Sequence, residues 1–323
     1  MLFEKTLVES EGGPEENQKM PDQRLFTGGR FVLDIMGANA GYLKKFDGLQ
    51  LEADIVTNEL GPGPIQKKHV AGIKWTPAKA TIAIGVGKEM YNIIQQALDA
   101  NQKPFDGTLH IADFNYKVQS SLNFTGGIMT AVTFPAMDGS SKETGYFDLE
   151  WEAETVRWLK GDNADIRSRI GQKQKAWLCS NFRFEMGGLP CDRVASIDSF
   201  SWKCAVTTDQ IGIGRQPTKH AAKVTVPNIK VEVSMADYDA WVEAAKKWFV
   251  DGYHEEKDEM SGAIVFLSPD MKTEIGRVTL KNCGFAKFTY GPLEANSEKI
   301  ARFSAEFYVE DMDFVLNDFE GVK

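Results

Sequence analysis

The sequence predicts a mainly β protein of the α+β kind, with two tandem antiparallel β-sandwich or barrel domains, each carrying one packed α-helix. Three observations lead there. The chain repeats itself, its strand-like stretches alternate apolar and polar residues, and each repeat holds a single stretch of helical periodicity.

The repeat is visible when the chain is slid on itself by 151 positions. Phe31 then meets Phe182, Gly37 meets Gly188 and Asp47 meets Asp198, while Thr57, Gly61 and Gly63 meet Thr208, Gly212 and Gly214. Lys68-His69 meets Lys219-His220, Ala71 meets Ala222 and Lys79 meets Lys230, giving 10 identities over positions 31–79. Further on the offset becomes 156, so the second copy carries a net insertion of five residues; Ser141 meets Ser297, Phe147 meets Phe303 and Glu150 meets Glu306. Two blocks in the same order point to a tandem duplication. Residues 1–25 read as a polar, acidic N-terminal arm, expected to be flexible. Residues 26–160 read as the first domain, 161–174 as a polar linker and 175–323 as the second domain.

The elements follow in order. Leu49, Leu51, Ala53 and Ile55 share one face and Gln50, Glu52 and Asp54 the other, the period of a half-buried strand. Gly61-Pro62-Gly63-Pro64 interrupts pairing, and Lys74 to Ile84 returns as strand. A helix is expected near Lys88–Gln102, with Met90, Tyr91, Ile94, Ala97 and Leu98 on its buried stripe. In the second copy the loop is Gly212-Ile213-Gly214 and the returning strand runs from Val224 to Val233. Its helix has Ser234 as expected N-cap and Gly252 as stop, with Tyr238, Trp241, Val242, Ala245, Trp248 and Phe249 as a core stripe. The closing strands alternate cleanly, as Phe147, Leu149 and Trp151 and as Phe303, Ala305, Phe307 and Val309.

Composition removes several functions. Net charge is −9 and the sequence pI about 5.2, so there is no basic face of the sort that grips phosphates. No apolar run is long enough to cross a bilayer, and Met1 to Gln18 is too acidic to read as a secretory signal. Cys179, Cys191, Cys204 and Cys283 lack CxxC spacing, which suggests reduced thiols and assembly in a cytoplasm. His69, His110, His220 and His254 have no metal-ligand spacing, and Gly61-Pro62-Gly63 lacks the setting of a dinucleotide loop. The run His254–Glu259 reads as a solvated insertion loop, and a Cys191–His220 pairing has nothing to activate it. Nothing in the sequence calls for catalysis, a cofactor or a metal.

The stretches FVLDIMG, KKFDGLQLEADIVTNELGPGP, KATIAIG and TFPAMDGSSKETGYFDLEWEAE resemble the tail tube family of contractile phages and related injection systems. Their counterparts FRFEMGG, SIDSFSWKCAV and YGPLEANSEKIARFSAEFYVE repeat the resemblance, which covers most of 26–155 and 176–315. It implies tail-tube-like domains, six to a ring, whose long hairpins join edge to edge around a channel and whose rings stack. With two domains per chain, three chains would close a pseudo-hexameric ring. The N-terminal arm would then order against a neighbouring ring. The resemblance implies sheath and baseplate or terminator proteins as partners, DNA or cargo in transit without specific binding, no membrane, and a place in a virion tail. A baseplate hub or tube-initiating ring is the near alternative, and a soluble ligand-binding β-sandwich or enzyme the remote one. On this reading Gln50, Glu52, Asp54, Ser201 and Lys203 line the channel, where the carboxylates would repel phosphates and Lys203 runs against that pattern. Gly61, Gly63, Lys68 and His69, with Gly212, Gly214, Lys219 and His220, are expected in loops that make ring contacts.

Overall fold

The structure, a computed structural model, describes residues 29–58, 66–170, 177–209, 217–291 and 300–317. In the first repeat β1 (Arg30–Ile35), β2 (Ala38–Asn39), β3 (Gly41–Asp47), the paired β4 (Leu51–Asn58) and β5 (Lys67–Trp75), and β6 (Ala78–Val86) precede α1 (Lys88–Leu98). Then come β7 (Phe105–Ala112), β8 (Val118–Phe134), β9 (Met137–Asp138), β10 (Tyr146–Glu152), β11 (Thr155–Lys160) and the one-turn α2 (Arg167–Ile170). The second repeat holds β12 (Phe182–Met186), β13 (Val194–Ile197), the paired β14 (Phe200–Asp209) and β15 (Thr218–Thr225), and β16 (Ile229–Ser234). It continues with α3 (Tyr238–Phe249), β17 (Met260–Leu267), β18 (Glu274–Tyr290) and β19 (Arg302–Leu316). The chain is mostly β, and every strand pairing among the described residues is antiparallel.

Strand order in the first repeat is β1-β7-β8-β10-β6-β3, and in the second β12-β17-β18-β19-β16-β13. The registers agree residue for residue. Leu149 faces Ala80 and Val132 on its two sides; Ala305, 156 positions on, faces Val231 and Phe288. The irregularities agree as well. A bulge at Glu150/Trp151 against β8 matches the one at Phe285/Lys287 against β19, and the break at Asp54/Ile55 in β4–β5 matches Cys204/Val206 in β14–β15. A bulge re-aims the strand that carries it, so shared bulges mean shared sheet curvature.

Sheet interiors follow from the alternation. Phe147, Leu149 and Trp151 are buried on β10, and Phe303, Ala305, Phe307 and Val309 on β19. Met90, Tyr91, Ile94, Ala97 and Leu98 are the buried face of α1. Buried residues of both repeats belong to one continuous cluster.

Several expectations are corrected. α1 stops at Leu98 rather than running to Gln102, because Asp99 closes it and Ala100 turns to φ +52°. Ser234 caps a 3₁₀ turn at Met235–Asp237, accepting from the Ala236 N–H at 3.4 Å, and α3 begins only after it. Phe249 is half exposed at the end of α3, where the stripe has run past the sheet. The returning segments are each two strands, broken at Thr76-Pro77 and between Thr225 and Ile229. Within the stretch read above as a linker, the described residues up to Ile170 pack against the first repeat. Ile166 is buried with Val32, Ala112 and Val118, and Asp165 pairs with Lys117 at 3.3 Å. The charged run also has anchored members: His254 Nδ1 lies 3.0 Å from the Trp248 carbonyl, and Glu259 accepts from the Tyr308 hydroxyl at 2.9 Å. Finally, β4 is exposed on both faces along its whole length, so the half-buried reading of Leu51, Ala53 and Ile55 fails for the single chain.

Candidate assembly site

The two hairpins are the same element in two environments. β14 pairs with β15 on one side and with the C-terminal end of β8 on the other, in the register Phe200↔Phe134, Ser201↔Thr133, Trp202↔Val132 and Lys203↔Ala131. Of those β8 residues, Ala131, Val132 and Thr133 pair with β10 along their opposite edge, so the second repeat's hairpin extends the first repeat's sheet.

Alternation sorts this seam into two faces. Below it, Phe200, Trp202 and Cys204 are buried. Phe134 stacks on Phe200 with centroids 4.8 Å apart, meets Phe314 edge-on at 5.3 Å, and Trp177 lies 4.7 Å from Phe266. Such rings contribute beyond the area they bury. α1 joins in, since Tyr91 Oη donates to the Phe314 carbonyl at 3.1 Å. Above the seam lies a polar groove of about 670 Å³ lined by Thr133, Glu150, Glu152, Ser201, Lys203 and Lys223 among others. At its edge Lys219 donates from its backbone N–H to Glu154 and from Nζ to Glu152, both at 2.8 Å. The Lys219 side chain is only 11% exposed, so the pair is worth more than an ordinary surface contact.

Against this, β4 pairs with β5 alone among the described residues. Leu51, Ala53 and Ile55 face Trp75, Ile73 and Val70 across the ladder and form an apolar face open to solvent. On the other face Lys74 Nζ lies 3.0 Å from Asp54 and 3.9 Å from Glu52, and these carboxylates hold the lysine protonated above its ordinary range.

The residues singled out in the sequence fall as follows. Glu52 and Asp54 stand on the polar face of β4, each within reach of Lys74, so neither carboxylate stands alone. Gln50 immediately precedes that strand and donates its backbone N–H to Thr76. Ser201 and Lys203 stand on the polar side of the seam. Lys68 and His69 lie within β5, and Lys219 and His220 within β15, so these four sit in strands rather than in loops; the ladders carry extended backbone up to Lys67 and Thr218. His69 faces Val56 and His220 faces Thr207 in one shared register. Gly61, Gly63, Gly212 and Gly214 lie outside the described residues, as does the N-terminal arm.

Sequence reasoning missed the partners. Nothing local marks Ala131–Phe134, Glu152 or Glu154 as a docking edge. The one available signal was the change from Leu49 and Leu51 to the bulkier Phe200 and Trp202. It also missed Asp34, whose carboxylate takes Arg169 at 2.5 Å and His110 at 3.4 Å. Burial pushes that carboxyl up, yet His110 and Arg169 together hold it below its usual range. Burial raises the thiols as well, Cys191 to about 11 and Cys283 to about 12. Among the described residues no group of three or more His, Cys, Asp or Glu is placed to hold a metal ion, and no helix is long and apolar enough to cross a membrane.

No family model matches the chain, and no curated protein matches it. Among solved structures it is similar to the PVC sheath–tube complex of an extracellular contractile injection system in the extended state (16% identity, 43% of this chain, 94% of that chain, TM-score 0.39). It is similar to the PVC sheath/tube terminator in the extended state (18%, 43% of this chain, 99% of that chain, TM-score 0.38). A third is the anti-feeding prophage baseplate, 6-fold symmetrised (14%, 42% of this chain, 91% of that chain, TM-score 0.33).

Proposed function

We propose that this chain is a structural, non-enzymatic subunit of the tail tube of a phage or phage-like contractile particle. Two tandem tube-like domains, 26–160 and 175–323, make up each subunit, and three subunits close a pseudo-hexameric ring that stacks on others around a channel. The observation that carries this reading is the seam between β14 and β8, which joins one repeat's hairpin edge-on to the other repeat's sheet. An edge strand left open is a pairing template, and continuing the same join from chain to chain until it closes removes every such edge.

On this reading the polar side of the seam, with Ser201 and Lys203, and the matching side of β4, with Glu52 and Asp54, face the channel. The wall is then a set of ion pairs rather than a uniform carboxylate surface: Lys79 with Glu150, Lys230 with Asp198, Lys74 with Asp54. A self-neutralised wall offers passing DNA or protein cargo few unpaired charges to adsorb to. Sheath, baseplate and terminator proteins are the partners this role calls for. The net difference of five residues between the copies leaves little room for an inserted spike-binding domain, which favours tube over hub.

Negative-stain images of the purified full-length chain test the proposal. Rings with a central hole, or stacks of them, are expected; a monomer at all concentrations overturns it. Copy number per particle, many or one ring's worth, separates tube from hub.

A further inference from the structure

The chain carries a finished seam and the two unmatched halves of another. β14 sits on β8, whereas β4, its counterpart in the first repeat, has β5 as its sole strand partner among the described residues. β18 is the counterpart of β8, and beyond Cys283, among the described residues, it is paired by β19 on one side only. Exposure tracks this difference. Trp202 is 1% exposed and its counterpart Leu51 is 43%; Phe134 is 0% and Tyr290 is 56%; Phe314 is 1% and Trp158 is 63%.

Resting on the ring reading above, we propose that β4 of one chain, with Gln50 just before it, pairs antiparallel with the C-terminal end of β18 of the next, in the register Gln50↔Thr289, Leu51↔Phe288 and Glu52↔Lys287, while Leu49, buried and at φ +56° in the single chain, would face Tyr290 only after turning to extended backbone. The occupant of each open edge is thus a second copy of this chain. The register is the internal one moved by the repeat offsets: 151 takes Leu49 to Phe200 and Glu52 to Lys203, and 156 takes Phe134 to Tyr290 and Ala131 to Lys287.

Two features that the transposition did not assume agree with it. Glu52 falls directly opposite Lys287, a cross-strand pair of opposite charge where the internal seam has Lys203 opposite Ala131. Glu154, which accepts the backbone N–H of Lys219 inside the chain, transposes to Glu310, which keeps a carboxylate for the backbone N–H of Lys68; Glu152, which holds the Lys219 ammonium, transposes to Tyr308. A slip of one residue would lose the charge match and would turn Leu51 to the polar side. The register is therefore specified by side chains, and the join is head-to-tail, because the two edges differ.

Cysteine pairs in the full-length chain test it. Thr133 Oγ1 and Ser201 Oγ are 2.8 Å apart at the internal seam, so sulfurs at the matching Thr289 and Gln50 positions fall within bonding range after small adjustment. Mild oxidation of the Gln50→Cys/Thr289→Cys variant is expected to give a ladder of covalent multimers, and the slipped pair Gln50→Cys/Phe288→Cys none beyond wild type. Equal or better cross-linking of the slipped pair overturns the register. Rings seen by mass photometry and microscopy without the expected cross-link overturn this inference but leave the tube reading standing. Chains that never associate overturn both. As a second measurement, Glu52→Lys and Lys287→Glu are each expected to weaken association about tenfold and the double exchange to restore it. Failure of restoration with both single variants folded overturns the pairing.

Discussion

Thr133 on β8 and Ser201 on β14 hold each other through their hydroxyls at 2.8 Å, in one chain but in different repeats. The same row of the sheet runs on through Asp148, opposite Thr133, to Thr81, whose hydroxyl donates to Asp148 at 2.6 Å. One polar row therefore crosses the seam without a break, and the aromatic cluster seals the side beneath it. The seam is built as the interior of a sheet, and its parts have measurable consequences.

Trp202 and Leu51 occupy equivalent positions, one buried and one open. Trp202→Ala is expected to destabilise the isolated chain by about 3–5 kcal/mol, the usual cost of emptying a large buried aromatic site. Leu51→Ala is expected to stay within about 0.5 kcal/mol. Urea unfolding of both variants below the concentration at which chains associate checks the contrast.

Glu152 holds the ammonium of Lys219, whose side chain is 11% exposed. Glu152→Gln is expected to cost about 1–3 kcal/mol by leaving that charge underpaired, while removing both charges with Lys219→Met added is expected to recover part of the loss. A double-mutant cycle in urea midpoints measures the coupling.

Asp34 ties β1 to α2 and β7 through Arg169 and His110. Its folded-state pKa lies below the ordinary aspartate value of 3.8. The folded chain then binds its proton less readily than the unfolded one, so this contribution is full above pH 3.8 and is lost as pH falls through the lower folded value. Asp34→Asn is expected to flatten the acid limb of the melting temperature plotted against pH and to change its slope little above pH 6. Melting curves between pH 2 and pH 7 decide it.

Cys179, Cys204 and Cys283 are buried, and the Cys283 thiol is pushed up to about 12. At pH 8 an aromatic disulfide reagent is expected to leave all three untouched in the native chain and to react slowly with Cys191, held near 11. In denaturant all four should react at once. Rapid native labelling of Cys283 would contradict the packing around it.

Elements whose burial is decided within one repeat were legible in the sequence. The α1 stripe from Met90 to Leu98 and the alternation of β10 and β19 each face a core that their own neighbours supply. β4 has the same alternation, yet its apolar side finds no cover among the described residues, so pattern alone placed it half-buried. The seam had no local signal, because residues 131–134 and 200–203 meet only through long-range pairing. Aromatic residues at 200 and 202 in place of leucines at 49 and 51 register the difference, but they name no partner. The docked stretch after β11 escaped for another reason: a single buried side chain, Ile166, carries the anchoring and is surrounded by polar residues.

Because β14 already rests on its own chain's β8, half of the joints in any closed assembly of these chains are made before two molecules collide. A covalent tether of this kind holds its two ends at an effective concentration on the order of millimolar. In the ring proposed above, assembly would therefore depend on a lower power of protein concentration than it would for separate single-repeat subunits, and dilution would open only every second seam.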